Sequence, residues 1–186
     1  MTRKTLRDSL NEWLSGEFKT LSNLHLQPLD TAKQIHSVMA HNSGSDIPVN
    51  VAAMGEGISQ IIPIMSTIFM SRPREMLLIE RPETGLHPAM QADLGEFFAR
   101  MAVEFRRQIV IETHSEHLLL RIRRLVAEGR IKADDVSILY VEREASESKV
   151  LQLELTERGQ IPNWPKGFFA DAYDEALALA TAKRKS

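Results

Sequence analysis

The chain has 186 residues, 43% of them hydrophobic and 26% charged, which suits a soluble α/β domain with a sizeable core. A formal net charge of -2 and a pI near 6.3 give no electrostatic reason to expect nucleic acid as the main partner. Having no cysteine excludes disulfides and cysteine-ligated metal and fits a reducing, cytoplasmic setting. Residues 1–26 lack the continuous apolar core of a secretory signal. The most apolar window, residues 58–70, is shorter than the ~20 residues of a membrane span and contains Pro63.

Taken in order, residues 5–14 predict a helix with Leu6, Leu10, Trp13 and Leu14 on one face and Gly16 placed to end it. Pro28 breaks any periodicity over 24–30, which reads as irregular. Two strands are expected over 34–40 and 47–54, joined by a polar hairpin loop over 41–46. Gly55-Glu56-Gly57 then turns the chain into a helix over 58–70 whose apolar residues cover most of its circumference. Pro63 is best tolerated there if the helix starts close to it.

The unbroken apolar run 76–79 ends at Glu80 and predicts a strand buried on both faces of a parallel sheet. Residues 88–105 form the clearest amphipathic helix, with Met90, Leu94, Phe97, Phe98, Met101 and Phe105 inward and Pro88 in its first turn. A second short strand, 108–112, again ends at an acid, and Ser115 is placed to cap a helix through Val126 that Gly129 closes. Strand, helix, strand, helix makes a βαβ unit and a parallel sheet. Beyond Asp135 the pattern alternates. Strands over 136–142 and 149–155 form a hairpin, and a last helix covers 173–183. Arg121, Arg123, Arg124, Arg130 and Lys132 read as a solvated basic face, with no aromatics interleaved.

Open α/β sheets bind ligands beyond the carboxyl ends of their strands, so Glu80, Glu83 and His114 all fall where a ligand would sit. A strand-end acid suits Mg²⁺, and a second carboxylate suits water positioning in phosphoryl transfer. His114 and His117 are three residues apart, but no third ligand stands at zinc-site spacing. The glycine turn with Ser59 and Gln60 in the following helix suits an anion at a helix amino terminus.

The order of these features is more specific than any one of them. A glycine turn and helix, then Glu80-Arg81-Pro82-Glu83, then Leu86-His87-Pro88, then Glu112-Thr113-His114-Ser115 resembles the ABC-type AAA ATPases of the OLD, RecF and SMC group. Gly159 to Phe169 resembles the ending of those members that carry a DUF3696 region. The resemblance implies a P-loop NTPase fold, seen here as the C-terminal half: a parallel βαβ core with flanking β-hairpins. It implies ATP and Mg²⁺ as cofactors. Glu80 takes the Walker B position, holding Mg²⁺ through water, and Gly55, Gly57, Ser59 and Gln60 take the signature-loop position. Residues 85–88 match the D-loop and His114 the switch histidine.

Two departures shape the expected function. No G-x-x-x-x-G-K-[ST] occurs in the chain, so the phosphate cradle has to come from elsewhere. Arg81 stands where the family usually places its water-orienting glutamate, and a guanidinium is no general base. The expectation is therefore an ATPase half that completes a nucleotide site with a Walker A-bearing segment or partner and forms an ATP-dependent dimer. Alone it is expected to be inactive. The resemblance points to phage defence or DNA maintenance, commonly beside a nuclease. The alternative is a non-hydrolysing module that docks on an intact ATPase. Expected divisions are 1–54 for the leading helix and hairpin, 55–135 for the ATPase core, and 136–186 for the DUF3696-like end.

Overall fold

The structure, a computed structural model, describes residues 4–144, 147–165 and 168–169. The chain divides into two compact units, Met1–Ile122 and Arg123–Ser186.

The first unit opens with α1, Leu6–Glu12, held by a reciprocal capping box between Thr5 and Asp8. It does not stop at Gly16. The helix widens into a π-turn over Trp13–Glu17, which turns Trp13 and Leu14 into the core. Three antiparallel strands follow, β1 Leu21–Asp30, β2 Ile35–Asn42 and β3 Pro48–Asn50, in the order β1-β2-β3. The strand β1 replaces the irregular segment expected over 24–30. Pro28 fits because β1 is an edge strand, where a missing N–H breaks no second ladder. A register shift between Ser22 and His25 interrupts the β1 ladder, and Asn11 bonds the backbone of the buried Leu24 there. Its Oδ1 accepts from the Leu24 N–H at 2.7 Å and its Nδ2 donates to the Leu24 carbonyl at 3.2 Å. The second expected strand is cut short at Asn50. The Asn50 side chain accepts from the Ala52 N–H at 2.9 Å and starts a 3-10 turn over Val51–Ala53.

Helix α2 spans Glu56–Met70, so Pro63 lies mid-helix after all. It is exposed on the helix surface, and it removes the N–H that would otherwise bond the Ser59 carbonyl. Ile61, Ile62, Met65 and Ile68 are buried along the opposite side. Strand β4, Met76–Glu80, and strand β5, Gln108–Glu112, are joined by α3, Pro88–Val103, and pair in parallel from Met76↔Gln108 to Glu80↔Glu112. That confirms the βαβ unit. The aromatic Phe97 sits at the centre of the core, edge-on to Trp13 at 4.8 Å and to Phe69 at 5.6 Å. Burying a side chain of this size contributes about 1.5–3 kcal/mol. Phe105 lies beyond the end of α3 and is 47% exposed rather than inward-facing.

The parallel pair is covered on one face only. Leu77, Ile79, Ile109 and Ile111 pack against the core. Met76, Leu78 and Val110, on the other face, are 62%, 75% and 52% exposed, which corrects the expectation of a strand buried on both sides. Among the described residues β4 and β5 form a two-stranded sheet with both outer edges unpaired.

Helix α4, Glu116–Ala127, begins at Ser115, whose Oγ accepts from the Leu118 N–H at 3.0 Å, and closes at Gly129 in a left-handed turn. In the second unit β6 Ile138–Glu144 and β7 Glu147–Leu153 form an antiparallel hairpin. It starts later than expected because Val136 closes a 3-10 turn, its N–H bonded to the Ala133 carbonyl at 3.0 Å. The basic residues of α4 are not simply solvated. Arg121 pairs with Asp93 and Glu96, while Arg123 donates to the Gly159 carbonyl at 2.8 Å and stacks over Trp164. The helix expected over 173–183 lies outside the described residues.

Candidate functional site

Pairing β4 with β5 places Glu80 and Glu112 side by side at the carboxyl ends of the two strands. Two carboxylates in register repel each other unless a cation stands between them. Arg81 supplies it. Its N–H donates to the Glu112 carbonyl at 2.8 Å and its Nε lies 3.6 Å from the Glu112 carboxylate. Arg81 adopts a left-handed backbone, φ 45°, to make this turn. Glu80 is left exposed and has no hydrogen-bond or ion-pair partner among the described residues. Glu112 was legible as a strand-ending acid, but not as the partner that engages Arg81.

Glu83 differs from Glu80. It is only 8% exposed, and its Oε1 accepts from the His114 backbone N–H at 2.7 Å. Its Oε2 is buried without a partner. A buried acceptor left open is costly, and marks a position where a donor completes the site. The same bond fixes the β5–α4 turn, from which the exposed His114 projects.

The turn over Glu83–Pro88 is tied down from both sides. Gly85 has φ 70°, and a Cβ on Gly57 would lie 2.5 Å from the Gly85 carbonyl oxygen. The first turn of α2 therefore rests directly on this loop, so backbone packing explains Gly57. Gly55 is the open one, with φ 100° and nothing within 4 Å of a built Cβ. Ser59, in the next turn, hydrogen-bonds back to the Gly55 and Val51 carbonyls at 2.9 and 3.1 Å. Gln60 is half-buried beside it.

Gln91 is a residue that sequence reasoning missed. Its Nε2 donates to the Leu86 carbonyl at 2.9 Å and its Oε1 accepts from the Ser115 Oγ at 2.6 Å. It thus links the turn after β4 to the cap of α4. The signal was available as the position one helical turn after the cap residue His87.

The described residues include no group of three or more His, Asp or Glu side chains placed to hold a metal. Mg²⁺ needs no such cage, being held by one or two carboxylates together with substrate phosphates. An unpartnered strand-end acid and an open glycine at a helix start fit that use. The phosphate cradle itself is missing from the sequence.

A family model described as an AAA ATPase domain matches residues 2–119. The chain belongs to the AAA ATPase domain family. A second model, DUF3696, described as a protein of unknown function, matches residues 131–179 of this AAA ATPase. Among solved structures, it is similar to an SMC ATPase studied for ATP-driven dimerisation and DNA-stimulated activation. There the TM-score is 0.61 at 14% identity, over 97% of this chain and 92% of that one. It is also similar to an Smc head bound to the C-winged helix domain of ScpA, with TM-score 0.60, 13% identity and 81% of this chain covered. An Smc head with an extended coiled coil, bound to the C-terminal domain of ScpA and derived from Pyrococcus furiosus, gives 0.58 at 15% identity over 96% of this chain. This AAA ATPase chain spans 42% and 37% of those last two. No curated protein sequence matches it. The likeness shows the fold, a partial P-loop NTPase of the SMC-head type. Among the described residues no helix is long and apolar enough to cross a membrane.

Proposed function

We propose that this chain is the signature-loop and metal-acid half of an ABC-type, OLD-like ATPase, completing a nucleotide site with a Walker A-bearing segment or partner. One observation carries the reading. The β4–β5 pair bears acids at its carboxyl ends, yet exposes Met76, Leu78 and Val110 on its outer face. Parallel sheets are otherwise covered on both faces, so this is half of a larger sheet. In the completed site Glu80, as the Walker B acid, holds Mg²⁺ through water. Bound Mg²⁺ neutralises charge on the phosphates. Glu83 offers its open Oε2 to the attacking water while its other oxygen steadies the His114 turn. His114 contacts the terminal phosphate. Gly55 lets ATP approach from the opposite subunit of an ATP-dependent dimer, with Ser59 and Gln60 in the adjoining turn. The setting is cytoplasmic, in phage defence or DNA maintenance beside a nuclease.

The test is ATP turnover by the chain combined with a Walker A-bearing segment or subunit. Glu80→Gln with Glu83→Gln should lower turnover about 100-fold or more. Turnover that survives both substitutions would sink the residue assignment. Tight Mg²⁺-dependent ATP binding by the chain alone that is lost with Glu80→Gln would sink the split site. Leu78→Glu should block assembly and leave the isolated chain folded.

The Arg81–Glu112 pair favours a second reading, in which a guanidinium fills the usual water-orienting position and the chain docks on an intact ATPase without hydrolysis. Stable co-purification with such an ATPase, without added turnover, distinguishes it.

A further inference from the structure

The amino-terminal ends of β4 and β5 are occupied by a different group of residues. Arg72 and Arg74 precede β4; Arg106 and Arg107 precede β5. The pairing that builds the ladder draws them together, with the Arg74 N–H on the Arg106 carbonyl at 2.7 Å and the Gln108 N–H on the Glu75 carbonyl at 3.1 Å. Here the protein has a cavity of about 910 Å³, lined by the apolar Trp13, Phe69 and Phe105 and the cationic Lys4, Arg72 and Arg107 among others. Its volume is that of a small-molecule site.

The cations divide into two kinds. Lys4 is paired with Glu12, itself in the lining. Arg100 is paired with Glu17 and Glu104 and stacks on Trp13 at 4.6 Å from the ring centre. Burial pulls its pKa down, but the hydrogen bond and charge of Glu104, with Glu17 and Glu96, more than offset this and leave it raised. Those two are committed. Arg72 and Arg107 have no carboxylate partner among the described residues. Glu75 accepts the Arg72 backbone N–H at 2.7 Å, not its guanidinium. Arg107 gives one Nη to the Phe105 carbonyl at 3.0 Å, and its Nε is buried with nothing to donate to.

We propose that this cavity binds a phosphate monoester carried on an aromatic or apolar body of nucleotide size, with its phosphate between Arg72 and Arg107. A buried guanidinium N–H without an acceptor marks the place where an anion's oxygen belongs. Two guanidinium groups without a carboxylate partner match a dianionic phosphate better than a single carboxylate, which neutralises only one of them. The apolar lining takes the rest of the ligand. The same chemistry is carried by a free mononucleotide and by the 5′-phosphorylated end of a nucleic-acid strand. The site shares no residue with the strand-end acids and needs no Mg²⁺.

The full chain carrying Trp164→Phe keeps Trp13, in the cavity lining, as its sole tryptophan. It is titrated in EDTA with uridine 5′-monophosphate, uridine, inorganic phosphate, and a short single strand with and without a 5′-phosphate. Calorimetry and Trp13 fluorescence are both followed. The monophosphate should bind at least about tenfold more tightly than uridine or inorganic phosphate, with a Trp13 response and an affinity that falls with salt. A phosphorylated strand that outbinds the mononucleotide identifies a strand end as the source; parity identifies the free nucleotide. Arg72→Gln with Arg107→Gln should weaken binding about tenfold or more, and Glu80→Gln should not. If the double variant loses its native circular dichroism, the exposed Arg72→Gln alone carries the comparison. Absence of binding by every phosphate probe, equal binding of uridine, salt-independent binding, or binding that survives loss of the arginines overturns the proposal. So does binding lost with Glu80→Gln. None of these results bears on the ATPase-half reading, which is tested by turnover with a partner.

Discussion

At the carboxyl ends of β4 and β5 the chain is closed down by short contacts. Gly57 sits on Gly85, Glu83 holds the His114 N–H, and Gln91 spans from Leu86 to Ser115. Among the described residues the Glu80 side chain and the Glu83 Oε2 are left without a partner. At the amino ends of the same strands the backbone is tied just as firmly, but around a cavity, and the uncommitted groups are cations. One ladder five residues long thus presents, among the described residues, an unpaired acid at one end and arginines without carboxylate partners at the other. The difference lies in what the backbone ties enclose: a packed turn in one case, space for a ligand in the other.

The packed end should therefore be much the less tolerant of added volume. Gly57→Ala places a Cβ 2.5 Å from the Gly85 oxygen, backbone against backbone. It should cost roughly 1–3 kcal/mol in urea unfolding. Gly55→Ala meets nothing within 4 Å but must adopt φ 100°, and should cost about 1 kcal/mol through strain alone. Equal losses at the two positions would show that packing is not what separates them.

Glu83 distinguishes a buried tie from a surface charge. Glu83→Ala leaves the His114 N–H without its acceptor and should cost about 1–3 kcal/mol, with faster amide exchange at His114. Glu83→Gln keeps an acceptor oxygen and should cost less than about 1 kcal/mol with that amide still protected. A substitution pair that behaves alike would remove Glu83 from its positioning role.

Much of this was legible where one residue carries one signal. Both parallel strands were bounded correctly because an apolar run ends at an acid, and Ser115 and Gly129 marked the limits of α4. The misses come from pairings the sequence does not show. Pro28 reads as a breaker until β1 is known to be an edge strand, and Phe105 fits the inward stripe of α3 until the helix stops at Val103. Leu78 reads as doubly buried because its run suits a sheet covered on both faces, and among the described residues this one is covered on one. The arginines of the amino end stand in two clusters more than thirty residues apart, and no local pattern joins them. They become a site only when β4 pairs with β5.

The turns at that end are held under strain. Arg74 and Arg106 have φ 69° and 53°, a region that favours glycine. Arg74→Gly should stabilise the fold by about 0.5–1 kcal/mol if the side chain contributes nothing to the native state. A loss of stability instead would mean that this arginine makes a favourable contribution where it stands, and the contrast between a cation-lined cavity and a packed turn would sharpen.

The smallest effect concerns α1, which carries Trp13 toward that cavity. Asp8 accepts the Thr5 N–H at 3.2 Å while Thr5 Oγ accepts the Asp8 N–H at 3.2 Å. The Thr5 hydrogen bonds, with weaker help from the Arg7 and Lys4 charges, hold the Asp8 carboxyl below the usual carboxylate range. A group whose folded value is depressed contributes its stability above the ordinary range and loses it as pH falls through the lowered value. Acidification should thus loosen the first turn of α1 before the core responds, seen as earlier amide exchange at Asp8 and a small change in Trp13 fluorescence. Asp8→Asn should abolish the pH dependence of both signals. If that dependence persists in the variant, the capping box is not its source.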